Sequence, residues 1–210
     1  MDSHEVWRHI HRERAALADL LETLTPQEWE QPSLCPGWTV RDVAAHVIAS
    51  AQVTPVQVVL ELVRARGNFN KMMLESARRA SSRPTAEIVA DYRSLDGVRR
   101  HPLGTSILDP LADVLVHSQD IAVPLGRSVA MDPEAARAAA GRVWGSRFPF
   151  AAQKRLQGVR LVATDTDWTV GEGAPVEGPM GQLLVLMTGR RVALERLSGA
   201  GADELATRPV

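Results

Sequence analysis

Cysteine is almost absent: Cys35 is the single thiol in 210 residues. One thiol excludes an intramolecular disulfide and every cysteine-rich zinc module. Placed between Leu34 and Pro36, just ahead of a helix start, it reads as small packing material. Long apolar runs are missing too. Nothing reaches the length of a bilayer span, and the opening MDSHEVWRHIHRER lacks the apolar stretch of a signal peptide. Charge of one sign is also lacking, with 24 Lys and Arg against 25 Asp and Glu. Arg78, Arg79, Arg99 and Arg100 read as solvated helix-end or loop charges, so neither nucleic acid nor a membrane is an expected partner. A cytoplasmic protein is the expectation. There is no internal repeat, no G-x-x-x-x-G-K-[ST] or G-x-G-x-x-G phosphate cradle, and no G-x-S-x-G elbow. Ser118 is adjacent to His117 and cannot face it as a triad serine would.

What the chain has is helix punctuation. Asp2 with Glu5 predicts a capping box opening a helix to about Leu24, with Val6, Ile10, Leu17, Leu20, Leu21 and Leu24 inward. Thr25-Pro26-Gln27-Glu28 predicts a short capped turn, and Pro36-Gly37 a turn before Thr39 opens the next helix. Pro55 should kink or break that helix before it runs on to about Arg66. Further helices are expected around Met72–Ala80, from Thr85 to Val98, and after Asp132-Pro133-Glu134 as far as Gly145. Asp109 followed by Pro110 reads as an N-cap with proline at the first helical position.

The last quarter changes character. Val159–Thr164 and Trp168–Gly171 read as strands about the turn Asp165-Thr166-Asp167, followed by helices over Pro179–Thr188 and Arg191–Leu197. Gly171, Gly173, Gly178 and Gly181 read as turns. The expected division is a helical bundle over residues 1–150 and a small α/β domain over 151–210.

Two segments carry the chemistry, LCPGWTVRDVAAHVIAS (Leu34–Ser50) and LDPLADVLVHSQDIAVPLG (Leu108–Gly126). Residues four apart on a helix share a face, so Asp113 and His117 point the same way and Asp120 falls near that face. His46 shares a face with Asp42 and Ser50, at the edge of the stripe Val40, Val43, Ala44, Val47 and Ile48. If the helices are neighbours, His46, Asp113 and His117 form a two-histidine, one-carboxylate metal site with positions left open for catalysis. The spacing equally admits margin histidines with no ligand role. Asp42 reads first as the partner of Thr39 in a capping box, and Asp120 as an outer partner of a histidine or of nearby backbone.

Those segments resemble the DinB-like metal-binding superfamily, in its actinobacterial branch of mycothiol-dependent maleylpyruvate isomerases. The resemblance rests on LCPGWTVRDVAAHV and DVLVHSQDIAVPLG, in that order, and extends to GPMGQLLVLMTGRR in the tail. It implies a mainly α protein: a four-helix bundle with a long crossover, plus a small C-terminal α/β domain. It also implies a divalent metal, usually zinc, on His46, Asp113 and His117, with aspartate standing where the isomerase has glutamate. Trp38 would line the cofactor side and Arg190 would be the catalytic arginine. The implied partners are the thiol mycothiol and a small electrophile, in an isomerase or S-transferase reaction. A non-catalytic metal- or ligand-binding bundle and a metal-dependent hydrolase, with Asp120 or Asp42 as base, remain the alternatives. A homodimer is an assembly the sequence leaves open.

Overall fold

The computed structural model describes residues 1–102 and 104–209. Its contacts divide the chain into two compact units, Met1–Val129 and Ala130–Val210. That division falls ahead of the 150/151 position expected from sequence and assigns the alanine-rich helix to the second unit.

In the first unit, α1 (Ser3–Glu22), α2 (Pro26–Trp29), α3 (Val40–Gln52) and α4 (Pro55–Arg64) all begin the way their sequences dictate. Asp2, Thr25, Thr39 and Thr54 each accept from the backbone three residues on. Glu5, Glu28, Asp42 and Gln57 return the bond to the cap amide. Proline at the start of α4 breaks the α3 pattern as expected. After α5 (Phe69–Ser81) and α6 (Thr85–Ser94) comes α7 (Leu108–Ala122). Asp109 is not its N-cap. It lies inside the first turn, and its carboxylate accepts from the Ser106 amide at 2.7 Å while the Ser106 hydroxyl accepts from Leu108 N–H. Proline at the third helical position had suggested a start two residues later than the true one.

Helices α1, α3, α6 and α7 close a ring: α1 packs on α6 and α7, and α3 packs on the same two. This is the four-helix bundle, with α4 and α5 forming the long connection from α3 to α6 and α5 lying along α3. Leu17, Leu21, Val43, Val47, Ile48, Ile88, Val114 and Ile121 fill its core. By contrast α4 buries nothing, and Val56, Val59, Leu60 and Val63 face outward. Among the described residues no helix is long and apolar enough to cross a membrane.

The second unit holds α8 (Pro133–Gly145), capped by Asp132, and α9 (Ala152–Arg155). Strands β1 (Val159–Ala163), β2 (Thr169–Gly171) and β3 (Ala174–Gly178) follow. Then come α10 (Met180–Met187), a 3-10 helix (Arg191–Arg196) where a short helix was expected, and α11 (Ala200–Thr207). The hairpin β1–β2 is antiparallel as its turn predicts. Strand β3 was not expected; it runs parallel to β1 on the opposite edge, giving the order β2-β1-β3. Only Glu172 and Gly173 join β2 to β3, so the chain crosses the start of β1 at close range. A Cβ on Gly173, whose φ is +117°, would lie 2.0 Å from the Gly158 carbonyl oxygen. Helix α11, packed on β3, also lies beyond the sequence reading, which ends at Leu197.

Candidate metal centre

The phase of α3 is set at its first turn. Thr39 and Asp42 cap each other, and Ser81 donates to Asp42 Oδ1 at 2.6 Å, which ties α3 to α5. One turn further along that face, His46 is buried and reaches α7. There Asp113 and His117 stand one turn apart. Asp113 Oδ1 lies 3.6 Å from His46 Nε2 and 3.4 Å from His117 Nε2. Both are long for hydrogen bonds between nitrogen and a carboxylate. Ligand atoms about 2.0–2.2 Å from a tetrahedral zinc sit about 3.3–3.6 Å from one another, which is the spacing of both carboxylate–imidazole pairs. The three ligand atoms all fall within 4.8 Å of each other. The residues present therefore fit a zinc ion, shorter carboxylate included.

Each candidate ligand has its own support. Ser50, one turn beyond His46, donates to Asp113 Oδ2 at 2.8 Å, leaving Oδ1 turned toward the imidazoles. Behind His117, Nδ1 lies 2.7 Å from Oδ2 of the wholly buried Asp120. A carboxylate at Nδ1 makes that nitrogen the N–H donor and leaves the Nε2 lone pair facing Asp113 and His46. The Cys35 thiol donates to the same Asp120 oxygen at 3.1 Å, and Leu34 N–H donates to the Asp120 carbonyl at 3.1 Å. The segment before α3 is thus pinned to α7. Cys35 had read as packing; its role in holding Asp120 was missed, and the only available signal was that it opens the CPGW string. Asp120 itself had been anticipated as an outer partner.

The electrostatics follow from this crowding. Burial opposes a charge on Asp113, but the imidazoles of His117 and His46 outweigh it and hold the carboxyl well below the usual range. Burial likewise opposes protonation of His117, yet Asp113, Asp120 and Cys35 around its ring raise its pKa well above the ordinary imidazole value.

The Trp38 ring meets His46 edge-on at 5.2 Å between centroids, and His46 meets His117 in the same manner at 5.1 Å. Trp38 is half-buried and also packs on the bundle core. Arg190 belongs to the second unit, directly after α10, where its guanidinium donates to the Thr188 carbonyl at 2.8 Å. Both carboxylates considered as hydrolytic bases are engaged elsewhere. Asp42 accepts from Thr39 N–H and Ser81, and Asp120 from His117 and Cys35.

Residues 10–102 match the family described as mycothiol maleylpyruvate isomerase N-terminal domain. That match lies within the helical unit. The family resemblance is borne out by this match, which contains the first histidine segment and ends before the second. Two crystal structures of the mycothiol-dependent maleylpyruvate isomerase, one of them a mutant, share the fold with a TM-score of 0.61. They are 12% and 13% identical in sequence, and the match covers 96% of this chain and 94% of theirs. Two uncharacterised proteins of Mycobacterium tuberculosis, from strains CDC 1551 / Oshkosh and ATCC 25618 / H37Rv, are each 28% identical to this chain. The match covers 68% of this chain and 84% of theirs.

Proposed function

We propose that this chain is a zinc-dependent enzyme that uses a low-molecular-weight thiol, mycothiol, for isomerisation of, or S-transfer to, a small electrophile. The observation that carries the reading is the placement of Asp113 Oδ1 at zinc-ligand spacing from both His46 Nε2 and His117 Nε2, in a unit whose residues 10–102 match the mycothiol maleylpyruvate isomerase N-terminal domain. These three residues would hold the ion, which when bound favours the thiolate form of a sulfur ligand. The protein's part is to fix the donors. Ser50 holds the carboxylate of Asp113, and Asp120 holds the His117 ring with its Nδ1 protonated. Trp38, packed edge-on against His46, lines the thiol side in this reading and excludes water from it. In an isomerase the sulfur adds, the former double bond rotates and the sulfur leaves; in a transferase the adduct is the product. The setting is cytoplasmic, with neither nucleic acid nor a membrane as partner.

Titration of zinc-loaded and zinc-free protein with mycothiol and with S-methyl mycothiol tests the reading. Tight binding is expected for the free thiol on the zinc-loaded protein alone. Equal affinities in all four combinations would leave a non-catalytic binding bundle.

A further inference from the structure

The seam between α1 and α6 holds a cavity of about 220 Å³ that none of the three candidate metal ligands lines. Its polar wall is His11, Arg14, Tyr92, Arg93 and Asp96. Arg14 occupies an inward position of α1, in step with Trp7, Ile10, Leu17 and Leu21, and is 3% exposed. Its Nε is buried with no hydrogen-bond partner, and among the described residues no carboxylate comes within ion-pair distance. The opposing charge it feels is that of Asp113, across the bundle interior. One turn earlier, both ring nitrogens of His11 are buried without a partner, although the ring is stacked on Trp7.

Tyr92 and Arg93 are already committed, and Asp96 is an exposed carboxylate. Tyr92 donates to the Ala44 carbonyl at 2.8 Å, and Arg93 is tied to Asp19 and Glu22. The wall therefore offers one unused cation and one unused imidazole, three residues apart on the same helix face. A buried guanidinium without a partner is costly, so its presence here does not serve the stability of the empty bundle. Burial, together with the charges of Arg14 and Arg99, lowers the His11 pKa, so its ring is neutral and has an N–H to donate.

We infer that this cavity is an anion subsite that takes the carboxylate of a small organic acid, with Arg14 as its counter-charge and His11 as a second donor. A planar carboxylate matches the guanidinium fork, and a single negative charge matches the single free cation. Asp96 at the rim and Asp113 beyond the wall disfavour a doubly charged phosphate. The subsite does not depend on the thiol reading, because it lies in the helical unit and calls on no metal ligand.

The test uses the full-length, zinc-loaded protein with acetate, its neutral counterpart acetamide, and inorganic phosphate. The Arg14 Nε–H and His11 ring resonances are followed by NMR. Acetate should shift both saturably, and acetamide neither. Arg14→Met should weaken acetate binding by about tenfold or more, and His11→Phe, which keeps the cation, should weaken it less. Because an unpaired buried charge is removed, Arg14→Met should raise Tm. No saturable acetate shift in the wild type, or unchanged affinity in Arg14→Met, would overturn the proposal. Phosphate binding tighter than acetate would overturn the carboxylate assignment. A lowered Tm with acetate affinity intact would make Arg14 a structural counter-charge for Asp113 instead.

Discussion

The two edges of the His117 imidazole do different work. The Nε2 edge faces Asp113 and His46 at distances suited to a shared ion rather than to direct hydrogen bonds. The Nδ1 edge faces Asp120 at 2.7 Å, close to Cys35, in a hydrogen-bonded cluster that is complete as it stands. The first arrangement is a set of donors converging on a gap; the second is a bracket. A centre of this kind depends on both, because the bracket decides which nitrogen presents a lone pair to the gap.

The largest way to break that contrast is to remove the ring. His117→Ala should abolish stoichiometric zinc binding while the bundle stays folded, since the ring sits at the margin of the core. Leu115→Ala should do the reverse. Leu115 is fully buried, and its truncation should cost about 2–5 kcal/mol with little loss of zinc per folded molecule. Elemental analysis and far-ultraviolet circular dichroism on both variants check the pair; equal zinc in wild type and His117→Ala would dissolve the proposed centre.

Asp120→Asn attacks the bracket alone and should lower zinc affinity by about 10–100-fold. The same variant should change the proton count. In the zinc-free protein, the raised His117 pKa means the ring's charge adds stability that is full below the ordinary imidazole pKa and lost as pH rises through the folded value. The lowered Asp113 pKa has the opposite sense, adding stability above the ordinary carboxylate range that is lost as pH falls toward the folded value. Zinc must displace the His117 proton, so at neutral pH binding should release about one proton. Affinity should therefore rise with pH. Calorimetry in buffers of different ionisation enthalpy measures the release, which should be smaller in Asp120→Asn. An unchanged release would show that Asp120 does not set the protonation of the ring.

The smallest effect should come from Cys35→Ala. It removes one neutral donor to Asp120, worth about 1 kcal/mol. A several-fold loss of zinc affinity is expected, and a loss as large as that of Asp120→Asn would mean that Cys35 does more than hold the carboxylate.

The legible parts of the molecule are those encoded within a few residues. The caps at Asp2, Thr25, Thr39 and Asp132 mark true helix starts, because the bonds that define them are local. The four-residue step from Asp113 to His117, and the placing of Ser50 and His46 on one face, were legible for the same reason. What could not be read depends on partners distant in the chain. Strand β3 is APVEG, a poor strand sequence with proline inside it, and it exists because β1 lies alongside. Asp109 reads as a cap until the turn at Ser106 is known. Arg14 is one of several arginines along α1, and its burial shows only as a gap in the inward series Ile10, Leu17, Leu21.

The crossing of β1 by Gly173 has a consequence for heredity. Every missense codon at that position, whatever residue it specifies, adds a Cβ where the Gly158 carbonyl oxygen already lies 2.0 Å away. The chemical kind of the new side chain is therefore irrelevant to the first clash it makes. Position 173 has no conservative replacement, and all of its missense alleles should fall into a single phenotypic class in which the β2–β3 crossing is lost.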